Sequence, residues 1–302
     1  MFKKVVTSRK VVISNKYKYL IIKSLSSKFS IKLLCEISNI SRSAYYKWTN
    51  TSKQCKDQEI MDKILVIYND NRKVYGYRRI KISLKRTFGI NVNHKKVLRL
   101  MQKLKIQSII KMKKFKYKNP IANEYAKIEN NVLNRNFEAK TLNQKWVTDI
   151  TYLRYGNGCR AYLSAMMDLN NNEIIGYKLS TSLEIEFVID TVKTAISKCS
   201  REKLKDLIIH SDQGCHYMSR SYKNLLKRYK ITQSMSRKGN CYDNACIESF
   251  FSKLKTELIY QNKYYSKKDL FESIHKYIYW YNNERFQSKF KNHTPVEYRS
   301  VV

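Results

Sequence analysis

The chain of 302 residues carries 60 Lys and Arg against 24 Asp and Glu, a formal net charge of +36, and 43% of its residues are hydrophobic. That much apolar material builds a core, and so large a cationic surplus calls for a polyanionic partner, nucleic acid foremost. The absence of a long apolar run excludes a transmembrane bundle, while 7 Cys without a CxxC pair, 7 Gly and 2 Pro exclude a disulfide scaffold and a flexible Gly/Pro-rich chain.

Unpaired thiols point to a reducing cytoplasm, and the Lys-interrupted N-terminus is no signal peptide. Cys35, Cys55 and His94 lack ligand-like spacing, so no zinc module is expected in the first half. That half is the more basic: residues 1–140 hold 34 of the 60 cations but only 8 of the 24 acids.

Residues 1–55 read as a helix-turn-helix-like segment. A helix over Ser30–Ile37 is followed by a turn at Ser38–Ile40, and Ser41 is placed to cap a second helix through Trp48. Residues 56–110 read as a second such DNA-binding domain. Helices are expected over Asp57–Tyr68, over Tyr77–Phe88 with Ile80, Leu84 and Phe88 inward and Gly89 as the stop, and over His94–Leu104 with Asn93 as the cap. In the last helix Val97, Leu98, Met101 and Leu104 form the expected buried stripe. Lys95, Lys96, Arg99 and Lys103 form a cationic face of the size a major groove admits, with Arg78 and Arg79 on the preceding helix. Residues 111–140 are a basic linker, in which KMKKFKYK alternates cations with aromatics as an arm along a phosphate backbone would.

From residue 141 the apolar period shifts from helical to alternating. Strands are expected over Trp146–Tyr155, Arg160–Leu169 and Glu173–Leu179, with Gly156-Asn157-Gly158 as a hairpin turn. There follow a helix over Glu184–Lys198, a strand at Asp206–His210, a helix over Ser219–Lys230, a strand at Ile231–Met235 and a helix over Asp243–Leu258. Three antiparallel strands followed by alternating α and β elements describe an α/β fold, an RNase H-like core with a mixed five-stranded sheet over residues 141–260. Residues 261–302 form a helical tail.

Three acids stand out. Asp149 interrupts an apolar strand, where a carboxylate is costly unless paired or bound to metal. Asp212 follows an apolar strand, at the sheet end where ligands bind in α/β folds; a helix cap or an Asx-turn is the plainer reading. Glu248 lies at the edge of the apolar face of the last helix, a position open equally to a solvated carboxylate. Taken together, three hard oxygen donors on two strands and a helix can hold two Mg²⁺ or Mn²⁺ ions roughly 3.5–4 Å apart and promote in-line attack on a phosphodiester. Lys238 and Lys255 are placed to meet phosphates near that centre. His210 is either a supporting residue or a buried structural histidine, Asp243 and Asn244 read as caps of the last helix, and Asp168 and Glu257 as structural.

The motifs Ile40–Trp48, Tyr75-Gly76-Tyr77-Arg78-Arg79-Ile80, Trp146-Val147-Thr148-Asp149-Ile150-Thr151-Tyr152, His210-Ser211-Asp212-Gln213-Gly214, Ser236–Ala245 and Tyr281-Asn282-Asn283-Glu284-Arg285-Phe286 occur in order, and 35 residues separate Asp212 from Glu248. In these respects the chain resembles the second-frame transposases of bacterial insertion sequences of the IS-three family, whose integrase-like core is named for an Asp, Asp, 35-residue gap, Glu pattern. His216 stands where that family often has Gln.

The resemblance implies a DNA transposase with Asp149, Asp212 and Glu248 as catalytic metal ligands. Such an enzyme cuts one strand at each element end, and the freed 3′-OH attacks a second phosphodiester, first at the other end of the same element. It implies binding to double-stranded DNA at terminal inverted repeats and at target sites, assembly as a homo-oligomer on DNA and a partner encoded in an upstream frame. It places the protein at the nucleoid, with no membrane. The alternatives left open are a DNA-binding regulator with a decayed core and a host RNase H-like nuclease.

Overall fold

The computed structural model describes residues 14–110, 129–237 and 240–301, and the chain divides into two compact units, Met1–Ser108 and Ile109–Val302. The arm read at residues 111–118 lies outside the described residues, as does Lys238.

Among the described residues, five helices form the first unit: α1 (Asn15–Leu25), α2 (Ile31–Ser38), α3 (Arg42–Asp70), α4 (Tyr77–Phe88) and α5 (His94–Lys103). Polar side chains start three of them. Ser30 Oγ accepts from Leu33 N, Ser41 Oγ from Ala44 N at 3.1 Å and Asn93 Oδ1 from Lys95 N at 2.8 Å, each satisfying an amide that the first turn leaves unpaired. Asn39 and Gly89 end α2 and α4 with left-handed backbone (φ of 52° and 66°). A small core of Ile22, Leu34, Cys35 and Tyr45 joins α1–α3, with Tyr19 stacked on Trp48 at 5.3 Å.

Three sequence expectations change in this unit. The separate helices read on either side of residue 55 are one helix, α3, because no Gly or Pro interrupts residues 42–70. On α5 the inward residues are Val97, Leu100 and Met101, whereas Leu98 is exposed, since its position points about 100° away from Val97. Phe88 is also exposed at the last turn of α4, where the Lys63 ammonium lies 5.5 Å from its ring.

The second unit is built on five strands: β1 (Lys145–Tyr155), β2 (Cys159–Asp168), β3 (Ile174–Ser180), β4 (Ile208–Ser211) and β5 (Thr232–Met235), in spatial order β3-β2-β1-β4-β5. The first three pair antiparallel, and β4 and β5 join parallel to β1. Gly156 and Gly158, both at positive φ (50° and 95°), close the β1–β2 hairpin. The helices are α6 (Ile185–Ile196), α7 (Cys215–Met218), α8 (Arg220–Arg228), α9 (Ala245–Glu257), α10 (Lys267–Asn283) and α11 (Pro295–Arg299). The short α7 has no counterpart in the sequence reading.

One core packs Trp146, Met166, Ile175, Val188, Val192, Leu207, Ile209, Tyr217 and Tyr222 between the sheet and α6–α8. Gly176 permits the close approach of α6 to β3, because a Cβ there would stand 2.8 Å from the Thr191 carbonyl. The residues read as a tail belong to this unit. Glu257 on α9 accepts from Tyr277 Oη at 2.8 Å and from Arg285 Nε at 3.0 Å, all three buried. The Asn282 side chain bonds both the N–H and the C=O of Ile174 at 3.0 Å, and Arg299 pairs with Glu173.

Candidate active site

Asp149 lies in the middle of β1, on the face shared with Val147 and Thr151, and its Oδ1 accepts from Ile150 N at 2.7 Å. Asp212 directly follows β4, the strand parallel to β1, so the sheet itself places the two carboxylates side by side. Its Oδ1 accepts from Gly214 N at 3.0 Å, the Asx-turn that the plainer reading anticipated, and a Cβ on Gly214 would crowd that oxygen at 3.0 Å. Glu248 stands on the first turn of α9, exposed. The helix is tied to β1 by Asn244 Nδ2, which donates to the carbonyl of Thr148, the residue before Asp149, at 3.2 Å.

The three acids lie within range of one another's charge. Burial against the sheet, and then the negative charges of Asp212 and Glu248, push the Asp149 carboxyl up to about 8, while Ile150 N–H and the Lys255 ammonium oppose the rise. Desolvation raises Asp212 and also Glu248, which is lifted further by Asp212. Tyr217 is buried beneath the pair, its phenol driven upward by burial and by both aspartates. Lys255, one of the predicted cations, is half-buried beside Asp149, and burial lowers its pKa against the pull of that carboxylate.

Oxygen-only carboxylate donors suit hard divalent cations such as Mg²⁺ or Mn²⁺ rather than thiophilic metals. The trio is open rather than a preformed cage: among the described residues no group of three or more His, Cys, Asp and Glu side chains is drawn tightly enough to hold an ion.

The neighbouring polar residues have structural work. His210 is fully buried between Ser234 Oγ (2.8 Å) and Ser236 Oγ (3.0 Å), and burial lowers its pKa to about 4, so it stays neutral and locks β4 to β5. Asp168 accepts from Asn143 N and Asn170 N at 2.7 and 2.9 Å. Neither Asp243 nor Asn244 caps α9 with its side chain. Asn244 reaches across to β1 instead, and Asp243 bonds Arg237, Arg135 and Asn131. The sequence reading missed this last cluster, since nothing in the local pattern links residue 243 to a segment over a hundred residues earlier.

The predicted DNA-contacting cations of the first unit share two helices. Arg78 and Lys95 are exposed, and Arg79 lies over the Tyr75 ring at 5.4 Å. Lys96 and Arg99 both pair with Asp57 at 2.8 Å, which neutralises part of the cationic face.

Comparison with known proteins agrees with this architecture. An integrase core domain matches residues 139–241, a second integrase core domain matches 248–302 and an HTH-like domain matches 56–114. The chain named as transposase InsK for insertion sequence element IS150 of Escherichia coli (strain K12) is 39% identical over 281 residues, 93% of this chain and 97% of that one. The chain belongs to this family of insertion-sequence transposases. A transposase-like protein of Haemophilus influenzae is 43% identical over 211 residues, covering 70% of this chain and 94% of its own. The transposase InsF for insertion sequence IS3A of E. coli is 31% identical over 268 residues, 86% of this chain and 90% of that one. Among solved structures, the HTLV-2 integrase catalytic core domain in complex with magnesium aligns with a TM-score of 0.41 at 16% identity, over 53% of this chain and 98% of that one. No helix among the described residues is long and apolar enough to cross a membrane.

Proposed function

We propose that Asp149, Asp212 and Glu248 are the catalytic carboxylates of DNA strand cleavage and 3′-OH strand transfer. Membership of the transposase family makes the chain a DNA-cutting and DNA-joining enzyme; the assignment of residues rests on the site. The observation that carries it is the placement of three acids far apart in sequence: Asp149 within β1, Asp212 just past the neighbouring parallel strand β4, and Glu248 on the first turn of α9, which Asn244 ties to the residue before Asp149.

When bound here, two divalent cations supply Lewis-acid activation of the attacking and leaving oxygens of a phosphodiester. Asp149 and Asp212 would hold those ions from neighbouring sheet positions, and Glu248 would complete the donor set from α9. Lys255 offers an ammonium to the phosphate beside Asp149. Asn244 fixes the helix so that Glu248 keeps its place, and neutral His210 keeps β4 and β5 in register behind Asp212. The HTH-like unit binds DNA; terminal inverted repeats and a target duplex are the proposed ligands of Arg78, Arg79, Lys95, Lys96, Arg99 and Lys238. Assembly as a homo-oligomer with an upstream-frame product, at the nucleoid in the cytoplasm, accords with a reaction that joins two DNA ends. A decayed regulator finds no support, because all three acids are present.

The test is Asp149→Asn, which keeps shape and removes charge. Nicking of a duplex carrying the element's terminal sequence in Mg²⁺ is expected to fall by at least on the order of 10³-fold, with duplex binding unchanged. Nicking at the wild-type rate would overturn the assignment.

A further inference from the structure

Beside the carboxylate trio, the loop that leads into α9 carries a second cluster. Asp243 is fully buried and accepts from Arg237 N (3.0 Å), Arg237 Nε (3.0 Å), Arg237 Nη2 (2.9 Å), Arg135 Nε (2.7 Å) and Asn131 Nδ2 (3.0 Å). A buried carboxylate is tolerated only when paired in this manner, and the pairing fixes the backbone on both sides. The two arginine side chains nevertheless remain 45% and 53% exposed, so each keeps N–H groups that can face outward. The residue preceding Asp243, Tyr242, is 70% exposed, with the Arg135 guanidinium 5.8 Å from its ring centroid. Two residues after Tyr242, Asn244 is bonded to the carbonyl preceding Asp149. An anchored loop that leaves an aromatic ring in water, with one guanidinium over it and its following residues tied to the strand that bears Asp149, is a platform rather than a piece of core.

We propose that Tyr242 stacks on an unpaired base adjacent to the scissile phosphate, with Arg135 and Arg237 holding the phosphates of the same strand. The inference deepens the catalytic assignment above and rests on it. A base inside a duplex has both faces covered, so an exposed ring selects a frayed or splayed nucleotide, and stacking tolerates any base while the guanidiniums track the backbone. Tyr242 is then a positioning residue that draws the end of the duplex open at the point of cleavage.

The experiment uses the full chain and a duplex of the element's terminal sequence carrying 2-aminopurine, in turn, at each position flanking the scissile phosphate. Binding of the wild-type protein is expected to change the 2-aminopurine emission at one position only. Tyr242→Ala and Tyr242→Leu are expected to lose that change and to slow cleavage roughly 5- to 100-fold, the range of one base–aromatic stack. Tyr242→Phe is expected to keep both. Asp149→Asn is expected to keep the emission change while abolishing cleavage, which separates the two readings: full cleavage by Asp149→Asn would sink the catalytic assignment, whereas an unchanged signal and rate in Tyr242→Ala would sink the platform alone.

Discussion

The two units handle charge in opposite ways. In the first, cations crowd the surfaces of α4 and α5, and a single acid, Asp57, answers Lys96 and Arg99. In the second, ions are drawn inward: Asp243, Glu257, Arg285, Glu173 and Asp168 are all buried, each with a named partner. Outward, weakly compensated charge is cheap to keep in water and serves association with a polyanion. Inward, paired charge carries a large desolvation penalty and is tolerated where its geometry fixes something else. Here it fixes the loop and helix that present Glu248. One unit spends its charge on a partner, the other on its own shape.

The largest test of this contrast is Arg285→Met, which leaves the Glu257 carboxylate buried without its cation. It is expected to cost the catalytic unit about 3–5 kcal/mol, read as faster hydrogen exchange across β1–β3 with α4 and α5 unaffected. Equal acceleration in both units would show that they unfold together. Next in size is Asp243→Asn, expected to destabilise the second unit by about 1–3 kcal/mol in chemical denaturation and to slow strand cleavage, while duplex affinity holds. A third test concerns pH. Folded Asp149 keeps its proton up to about 8, whereas the unfolded chain releases it near the usual aspartate value, so the native state binds more protons across that window. Without divalent cations, thermal stability should therefore decline as pH rises from about 4 towards about 8, the interval set by the raised carboxyl. Asp149→Asn should flatten that decline; an unchanged slope would place its origin elsewhere. The smallest effect lies in the first unit. Lys95→Gln should lower the slope of log affinity against log salt by about 1, and Arg99→Gln by less, because Asp57 already screens it. Equal slopes would show that the Asp57 pair opens on DNA.

Much of this was legible beforehand because it is local. Strand alternation, the glycine hairpin at Gly156 and Gly158, and the Ser41 and Asn93 caps are written within a few residues of where they act. The three acids stood out beforehand through the short motifs around them, their order along the chain and the 35 residues between Asp212 and Glu248. Other features escaped for physical reasons. Leu98 and Leu100 are chemically alike, and only the helix packed against them decides which turns inward. Asp243 looks like a cap because Asp favours helix starts, yet Arg135 and Arg237 compete for its oxygens and win. The helices read on either side of residue 55 run together because α3 has nothing in it to stop a helix.

The amide of Asn282, clasped to both backbone groups of Ile174, occupies the rim of the sheet where, among the described residues, β3 has no further neighbouring strand. An unclasped rim is a template for another chain's strand. The final forty residues are thus a guard as well as a support: a copy shortened before Asn282 would bare an adhesive border and clump, so shortened products should drop out of solution instead of lingering as soluble competitors for the same DNA ends.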